Sequence, residues 1–147
     1  MLHKNPDIIA PETFVLVQQL QALPELEGFH LVGGTALALQ LGHMNSIDID
    51  LFNKESFIAE NLSDVLKIHF TLRIDYAGTK TLLTHVNNIK VDFITHSYSY
   101  INPPISEDGI TYLSKEDVAA MRLNVISSSG QRLKDYIDVY YLLEYFQ

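Results

Sequence analysis

The sequence predicts a small α/β (α+β) domain in which helices flank a mixed β-sheet of about five strands. Segments with apolar residues at helical spacing alternate along the chain with short runs of period two. No repeat, linker or low-complexity tract divides the 147 residues, a usual length for one domain. Hydrophobic residues make up 47% of the chain and charged residues 19%, which is enough for a packed core. We therefore predict a single domain over residues 1–147.

The first half of the chain predicts helices and strands in alternation. Residues 11–23 open with a proline and place apolar side chains at helical spacing, which predicts a helix. The segments "FHLVG" (29–33) and "SIDIDLF" (46–52) predict strands, and "TALALQLGH" (35–43) predicts a helix between them. A further helix is predicted over residues 53–68, with Asn53 or Ser56 as its N-cap.

The second half predicts an antiparallel meander followed by helices. Three alternating runs, at 69–76, 80–86 and 89–95, are separated by turn residues that include Asn87 and Asn88. Paired prolines argue against regular structure in residues 101–109. Ser114 and Asp117 form a capping pattern for a helix at 115–127, and a last helix follows a turn at 127–130.

Composition excludes several classes of protein. A net charge of −8 disfavours non-specific binding to nucleic acid or to anionic membranes. No apolar run approaches 18 residues and no secretory signal is evident, so we expect no membrane span. The absence of cysteine fits a cytoplasmic protein. Arg122, Arg132 and Lys134 form either a local basic wall or an ordinary solvated helix face.

Two aspartates in the second predicted strand are candidate metal ligands. On a strand, Asp48 and Asp50 project from one face about 6.5 Å apart, while Ile47, Ile49 and Leu51 point into the core. Neighbouring carboxylates repel each other unless a cation lies between them, and Mg²⁺ prefers a few carboxylates together with phosphate oxygens. The alternative is an exposed edge strand whose acids protect it from aggregation.

Three residues where the second predicted helix begins are candidate phosphate ligands. Gly33 and Gly34 join a strand to a helix, so backbone amides can approach an anion at the helix N-terminus. Thr35 adds a hydroxyl donor at the same place. The alternative is plain turn chemistry, because glycine is common wherever strands join helices.

A third acid is needed for two-metal phosphoryl transfer, in which one carboxylate helps to activate the attacking hydroxyl. Asp92 in "KVDFIT" lies on a strand that should neighbour residues 46–52. Asp75 is the competing candidate, but its place beside a turn predicts a solvated acid. We therefore assign the third position to Asp92.

The chain resembles the AbiEii/AbiGii-type toxin family of the DNA polymerase beta-type nucleotidyltransferase superfamily. The matching segments are "FHLVGGTALALQLGHMNSIDIDLF" (29–52), "IKVDFI" (89–94) and "LSKEDVAAMRLNVISSSGQRLKDYIDVYYLL" (113–143). The resemblance implies that the residues holding nucleotide are Gly33, Gly34, Thr35, Arg122, Lys134 and Asp135. It also implies that Asp48, Asp50 and Asp92 are catalytic and bind magnesium. Met44 and Arg122 depart from the family's usual arginine and lysine.

The predicted function is Mg²⁺-dependent transfer of a nucleoside monophosphate from an NTP to an acceptor hydroxyl. The resemblance implies a tRNA 3′ end or a protein as the acceptor, and a toxin restrained by a cognate antitoxin protein. A catalytically degenerate nucleotide- or partner-binding module is the alternative that Met44 favours. A small-molecule adenylyltransferase ranks last, because the short chain leaves little room for a further substrate domain.

Overall fold

A mixed sheet lies at the centre of the protein, whose computed structural model describes residues 2–95 and 99–121 and contains seven strands within them. The strands are β1 (His30–Val32), β2 (Ile49–Asn53), β3 (Leu72–Ala77), β4 (Thr81–Val86), β5 (Ile89–Thr95), β6 (Ile105–Glu107) and β7 (Ile110–Tyr112). They lie in the order β3–β4–β5–β2–β1–β7–β6. The β2–β5 and β1–β7 pairs are parallel, and the other neighbours are antiparallel. The predicted α/β class is confirmed, with two strands more than expected.

The helices are α1 (Pro11–Gln21), α2 (Gly33–Leu41) and α3 (Ala59–His69), with a short 3₁₀ turn at Pro24–Leu26; residues 115–121 are also helical. The start of α3 lies six residues after the predicted one. Asn53 belongs to β2 instead, and its side chain accepts a hydrogen bond from the Glu55 amide at 2.9 Å. In the described part of the chain, no helix has the length and apolar character needed to cross a bilayer.

One face of the sheet carries the hydrophobic core. The side chains there that are fully buried include Leu31, Ile49, Leu51, Val91 and Phe93. Helix α1 packs beside β7, α2 beside β1 and β2, and α3 beside β3 and β4. Burying each such side chain contributes about 1.5–3 kcal/mol to stability. The prediction that Ile47 also faces the core is wrong: β2 begins only at Ile49, and Ile47 is 67% exposed.

Two hairpins have two-residue loops in which both residues have positive φ. Asn87–Asn88 joins β4 to β5 with φ values of 50° and 66°, as a type I′ turn requires. Asp108–Gly109 joins β6 to β7 with φ values of 55° and 78°. The prediction of no regular structure over residues 101–109 is therefore wrong. The paired prolines end before β6 begins, and the Asp-Gly signal that follows them predicts a hairpin.

A buried carboxylate joins the loop after residue 98 to the helix that begins at residue 115. Asp117 is fully buried and accepts hydrogen bonds from the backbone amides of Ile101 and Asn102 at 2.6 and 3.0 Å. Its own amide donates to Ser114 Oγ at 3.2 Å, which is the predicted capping contact. The loop is thereby held against the end of β7.

Candidate active site

Two of the predicted acids are direct neighbours in the sheet. Strands β2 and β5 run parallel, with Asp50 opposite Asp92 in their register. Neighbouring strands lie about 4.8 Å apart, so the two carboxylates share one small region of the sheet. Both lie on the face opposite the core, because the residues that flank them in sequence, such as Ile49 and Val91, are fully buried. Asp48 lies just before β2 and is half-buried.

Gly33 brings the start of α2 into contact with these acids. Val32 pairs with Asp50 in the β1–β2 register, so the next residue lies beside the Asp50 side chain. A Cβ atom built on Gly33 would collide with Asp50 Oδ2. The φ of Gly33 is +71°, a left-handed conformation that residues with a Cβ rarely adopt. Glycine is therefore required here both by the backbone and by the closeness of the carboxylate.

Thr35 fixes the position of the segment that contains Asp48. It is buried, and its hydroxyl donates a hydrogen bond to the Asp48 carbonyl oxygen. The Ser46 hydroxyl lies 2.5 Å from that of Thr35, and the Ser46 amide donates to the Ile8 carbonyl at 2.8 Å. In this arrangement the Thr35 hydroxyl faces the loop before β2, whereas the sequence-based prediction directed it at phosphate. Gly34, the second predicted phosphate ligand, is also buried in the first turn of α2.

Lys90 forms an ion pair within the group of Asp48, Asp50 and Asp92, which we call the acidic cluster. The sequence-based prediction did not include this lysine. Its Nζ lies 2.6 Å from Asp92 Oδ2. Burial lowers the pKa of Lys90, but the hydrogen bond and charge of Asp92, with the charges of Asp48 and Asp50, outweigh that effect and raise it. The lysine is two residues before Asp92 on the same strand, so the period of a strand places both on one face. That spacing is the signal that could have identified it.

The carboxylates fit a divalent cation in their chemistry. Asp92 Oδ1 is buried and has no hydrogen-bond partner among the described residues, which is costly for an anionic oxygen unless something else pairs with it. At Oδ2 the Lys90 ammonium already neutralises the negative charge, as a bound cation would. As the side chains stand, no three acidic, histidine or cysteine groups of the described residues are close enough to form a metal site. Binding of one ion by Asp48, Asp50 and Asp92 together would thus require their side chains to rotate.

The remaining sequence-based candidates lie away from this cluster or outside the described residues. Asp75 is on β3, two strands beyond β5, and contacts His85 instead of the other acids. Arg122, Lys134 and Asp135 lie outside the described residues, so their predicted contacts with nucleotide stay predictions. Met44 lies half-buried in the loop between α2 and β2.

A separate cavity of about 500 Å³ lies at the C-terminal end of β2. Its lining includes His30, Asn53 and Lys54. Burial, with the charge of Lys54, lowers the pKa of His30, which favours a neutral imidazole there. None of the three acids lines this cavity.

The family model described as "Nucleotidyl transferase AbiEii toxin, Type IV TA system" matches residues 15–147. The chain belongs to this family. The matched residues include the start of α2 and all three acids, so the resemblance inferred from the sequence motifs is confirmed.

One protein is similar to this AbiEii-family chain in sequence and one solved structure is similar in fold. Uncharacterized protein aq_aa25 of Aquifex aeolicus (strain VF5) is 29% identical over 131 residues, which cover 86% of this chain and 63% of that protein. The Megavirus polyadenylate synthase is similar in structure, with a TM-score of 0.60 and 17% identity over 88% of this chain. The chain thus spans under two thirds of that relative and 31% of the viral enzyme.

A second solved structure is similar to this chain over most of its own length. ANT(2″)-Ia in complex with adenylyl-2″-tobramycin has a TM-score of 0.58 and 16% identity to this chain. The match covers 88% of this chain and 85% of that one. The similarity therefore extends over most of both chains.

Proposed function

We propose that this AbiEii-family protein transfers a nucleoside monophosphate from an NTP to an acceptor hydroxyl. The observation that carries the proposal is the packing of Asp50 between Asp92 on β5 and Gly33 at the start of α2. A pair of carboxylates, which can bind a cation, is then in direct contact with a helix N-terminus, which can bind an anion. Nucleotidyl transfer needs both, because the triphosphate must be held and its charge neutralised.

The start of α2 would hold the outer phosphates of the nucleotide. The first amides of a helix have no partner within it, and the helix dipole favours an anion at that end. Gly33, Gly34 and Thr35 provide the first amides of this helix. The Thr35 hydroxyl would keep Asp48 in place through its bond to the Asp48 carbonyl.

Asp48, Asp50 and Asp92 would hold Mg²⁺, which when bound neutralises charge on the phosphates and activates the acceptor hydroxyl. Asp92 Oδ2 pairs with Lys90, so Oδ1 is the oxygen of this carboxylate that is available to accept a proton. It would receive the proton of the acceptor hydroxyl. The hydroxyl oxygen would then bond to the α-phosphorus as the bond to the β-phosphate bridging oxygen breaks, releasing pyrophosphate. Positioning and charge supply the catalysis, with no covalent enzyme intermediate.

The family also suggests the biological setting of the reaction. We propose that the protein is a cytoplasmic toxin restrained by a cognate antitoxin. Arg122, Lys134 and Asp135 would contact the nucleotide from the C-terminal part of the chain. The acceptor would be a tRNA 3′ end or a protein, and the likeness to ANT(2″)-Ia makes a small molecule a third candidate.

Incubation with each of the four α-labelled NTPs, Mg²⁺ and total tRNA tests the proposal, with Asp50→Ala as the control. We expect Mg²⁺-dependent transfer of label to a macromolecule by the parent protein and none by the variant. Aminoglycosides and a cell lysate serve as alternative acceptors in parallel reactions. Saturable NTP binding without transfer to any of these acceptors would instead favour the degenerate binding module.

A further inference from the structure

We propose that the acceptor binds across β5, β4 and β3 on a surface that we call the acceptor strip, formed by Lys90, His85, Arg73 and Tyr76. This inference rests on the proposed function and adds the place and chemistry of the second substrate. The strip would take the phosphodiester backbone and a base of a polynucleotide whose 3′ hydroxyl lies at Asp92.

The direction from which the acceptor arrives follows from the order of the strands. The attacking and leaving oxygens in phosphoryl transfer lie roughly in line on opposite sides of the phosphorus. The phosphate-binding start of α2 follows β1, on one side of Asp50, whereas Asp92 is on β5 on the other side. Pyrophosphate would leave toward Gly33, so the acceptor must arrive over β5 and the strands beyond it, β4 and β3.

Two rows of side chains lead outward from the acids over those strands. In one row Lys90 pairs with His85, and His85 pairs with Arg73. In the other, Asp92 pairs with Leu83, and Leu83 pairs with Tyr76. Paired residues of neighbouring strands share a face, so both rows lie on the face that carries the acids. From β5 to β3 the strip extends about 10 Å, which is two strand intervals.

The exposed end of the strip has the chemistry of a nucleic-acid contact. Arg73 is 68% exposed, and Tyr76 is 58% exposed with its ring against Gly78 in the hairpin turn. Cations that follow a phosphate backbone beside an aromatic ring that stacks on a base are typical of single-strand binding. A guanidinium also suits phosphate better than an ammonium does, because it donates two parallel hydrogen bonds.

One acid limits the positive charge of the strip. Asp75 Oδ1 lies 3.0 Å from Arg73 Nε, and its Oδ2 lies 2.6 Å from His85 Nδ1. Arg73 Nη2 is also 2.9 Å from His85 Nδ1, so the three side chains form one cluster. Partial desolvation raises the pKa of Asp75, but the bonds from His85 and Arg73 outweigh it and lower the pKa, so Asp75 is ionised at neutral pH. Asp75 therefore opposes phosphate binding, while Arg73 favours it.

Two substitutions, one that removes a positive charge and one that removes a negative charge, test the acceptor strip directly. Binding of a fluorescein-labelled single-stranded RNA of about 12 nucleotides, a usual site size, is followed by anisotropy over a range of salt concentrations. We expect Arg73→Gln to weaken binding about tenfold and to reduce the salt slope by about one. We expect Asp75→Asn to tighten binding about threefold. Lys67→Gln makes the same charge change on α3, whose Leu62 and Leu66 are buried in the core on the other face, and should leave binding unchanged.

Three outcomes would overturn the proposal. The first is that the parent protein does not bind the RNA. The second is that Arg73→Gln weakens binding no more than Lys67→Gln does, and the third is that Asp75→Asn weakens binding as Arg73→Gln does. The last outcome would mean that the cluster only supports the hairpin. Thermal melting of each variant shows that it is folded. The label-transfer assay with all of the acceptors separates failure of the strip alone, in which label still reaches an acceptor, from failure of the proposed function, in which label reaches none.

Discussion

Asp92→Asn is expected to lower nucleotidyl transfer about 10²- to 10³-fold while the protein remains folded. The amide keeps the shape of the carboxylate but removes its charge, so it can neither accept the acceptor's proton nor help to hold a cation. Lys90 would lose its ion-pair partner, but because Lys90 is 42% exposed this costs less than about 1 kcal/mol of stability. The measurement is the initial rate of label transfer at saturating NTP, together with a thermal melt.

Asp64→Asn is the matched control for that substitution. It makes the same chemical change at an exposed position on α3, a helix that packs on the core side of the sheet, and should leave the rate unchanged. If Asp92→Asn retained more than a tenth of the parent rate, Asp92 would not be the third catalytic acid.

Gly33→Ala is expected to abolish nearly all transfer and also to destabilise the protein by about 1–3 kcal/mol. The left-handed φ of +71° costs an alanine about 1–2 kcal/mol, and the new Cβ would push the Asp50 carboxylate out of place. Displaced acids lose their alignment with the nucleotide, so we expect a fall in rate of about 10²-fold or more. Chemical denaturation gives the change in stability, and the label-transfer assay gives the change in rate.

Gly28→Ala separates backbone strain from displacement of the carboxylate. Gly28 also has a positive φ, of +93°, but a Cβ there would meet only Asn53, at an ordinary distance of 3.5 Å. We expect it to lose stability as Gly33→Ala does and to keep its activity. Equal loss of activity in both variants would show that strain alone, and not contact with Asp50, explains the effect.

The acidic cluster could be predicted from sequence because it depends on local rules. A strand places every second residue on one face, which identified Asp50 and Asp92, and glycines before a helix identified Gly33. Such rules reach only a few residues along the chain. They place each acid on a face, but the parallel pairing of Asp50 with Asp92 comes from the β2–β5 register of the folded sheet.

The parts that sequence missed depend on contacts between distant residues or on competing signals. Thr35 bonds to the carbonyl of Asp48, thirteen residues later, so its positioning role is visible only in the folded chain. The cluster of Arg73, Asp75 and His85 depends on the β3–β4 register. The β6–β7 hairpin was missed because paired prolines outweighed the Asp108–Gly109 turn signal that follows them.

A crystal structure grown with Mn²⁺ and a non-hydrolysable NTP analogue tests the central claim most directly. We predict anomalous density for manganese beside the carboxylates of Asp50 and Asp92, with the triphosphate at Gly33 and Gly34. A nucleotide bound instead in the cavity beside His30 and Lys54, with no manganese at the acids, would contradict it.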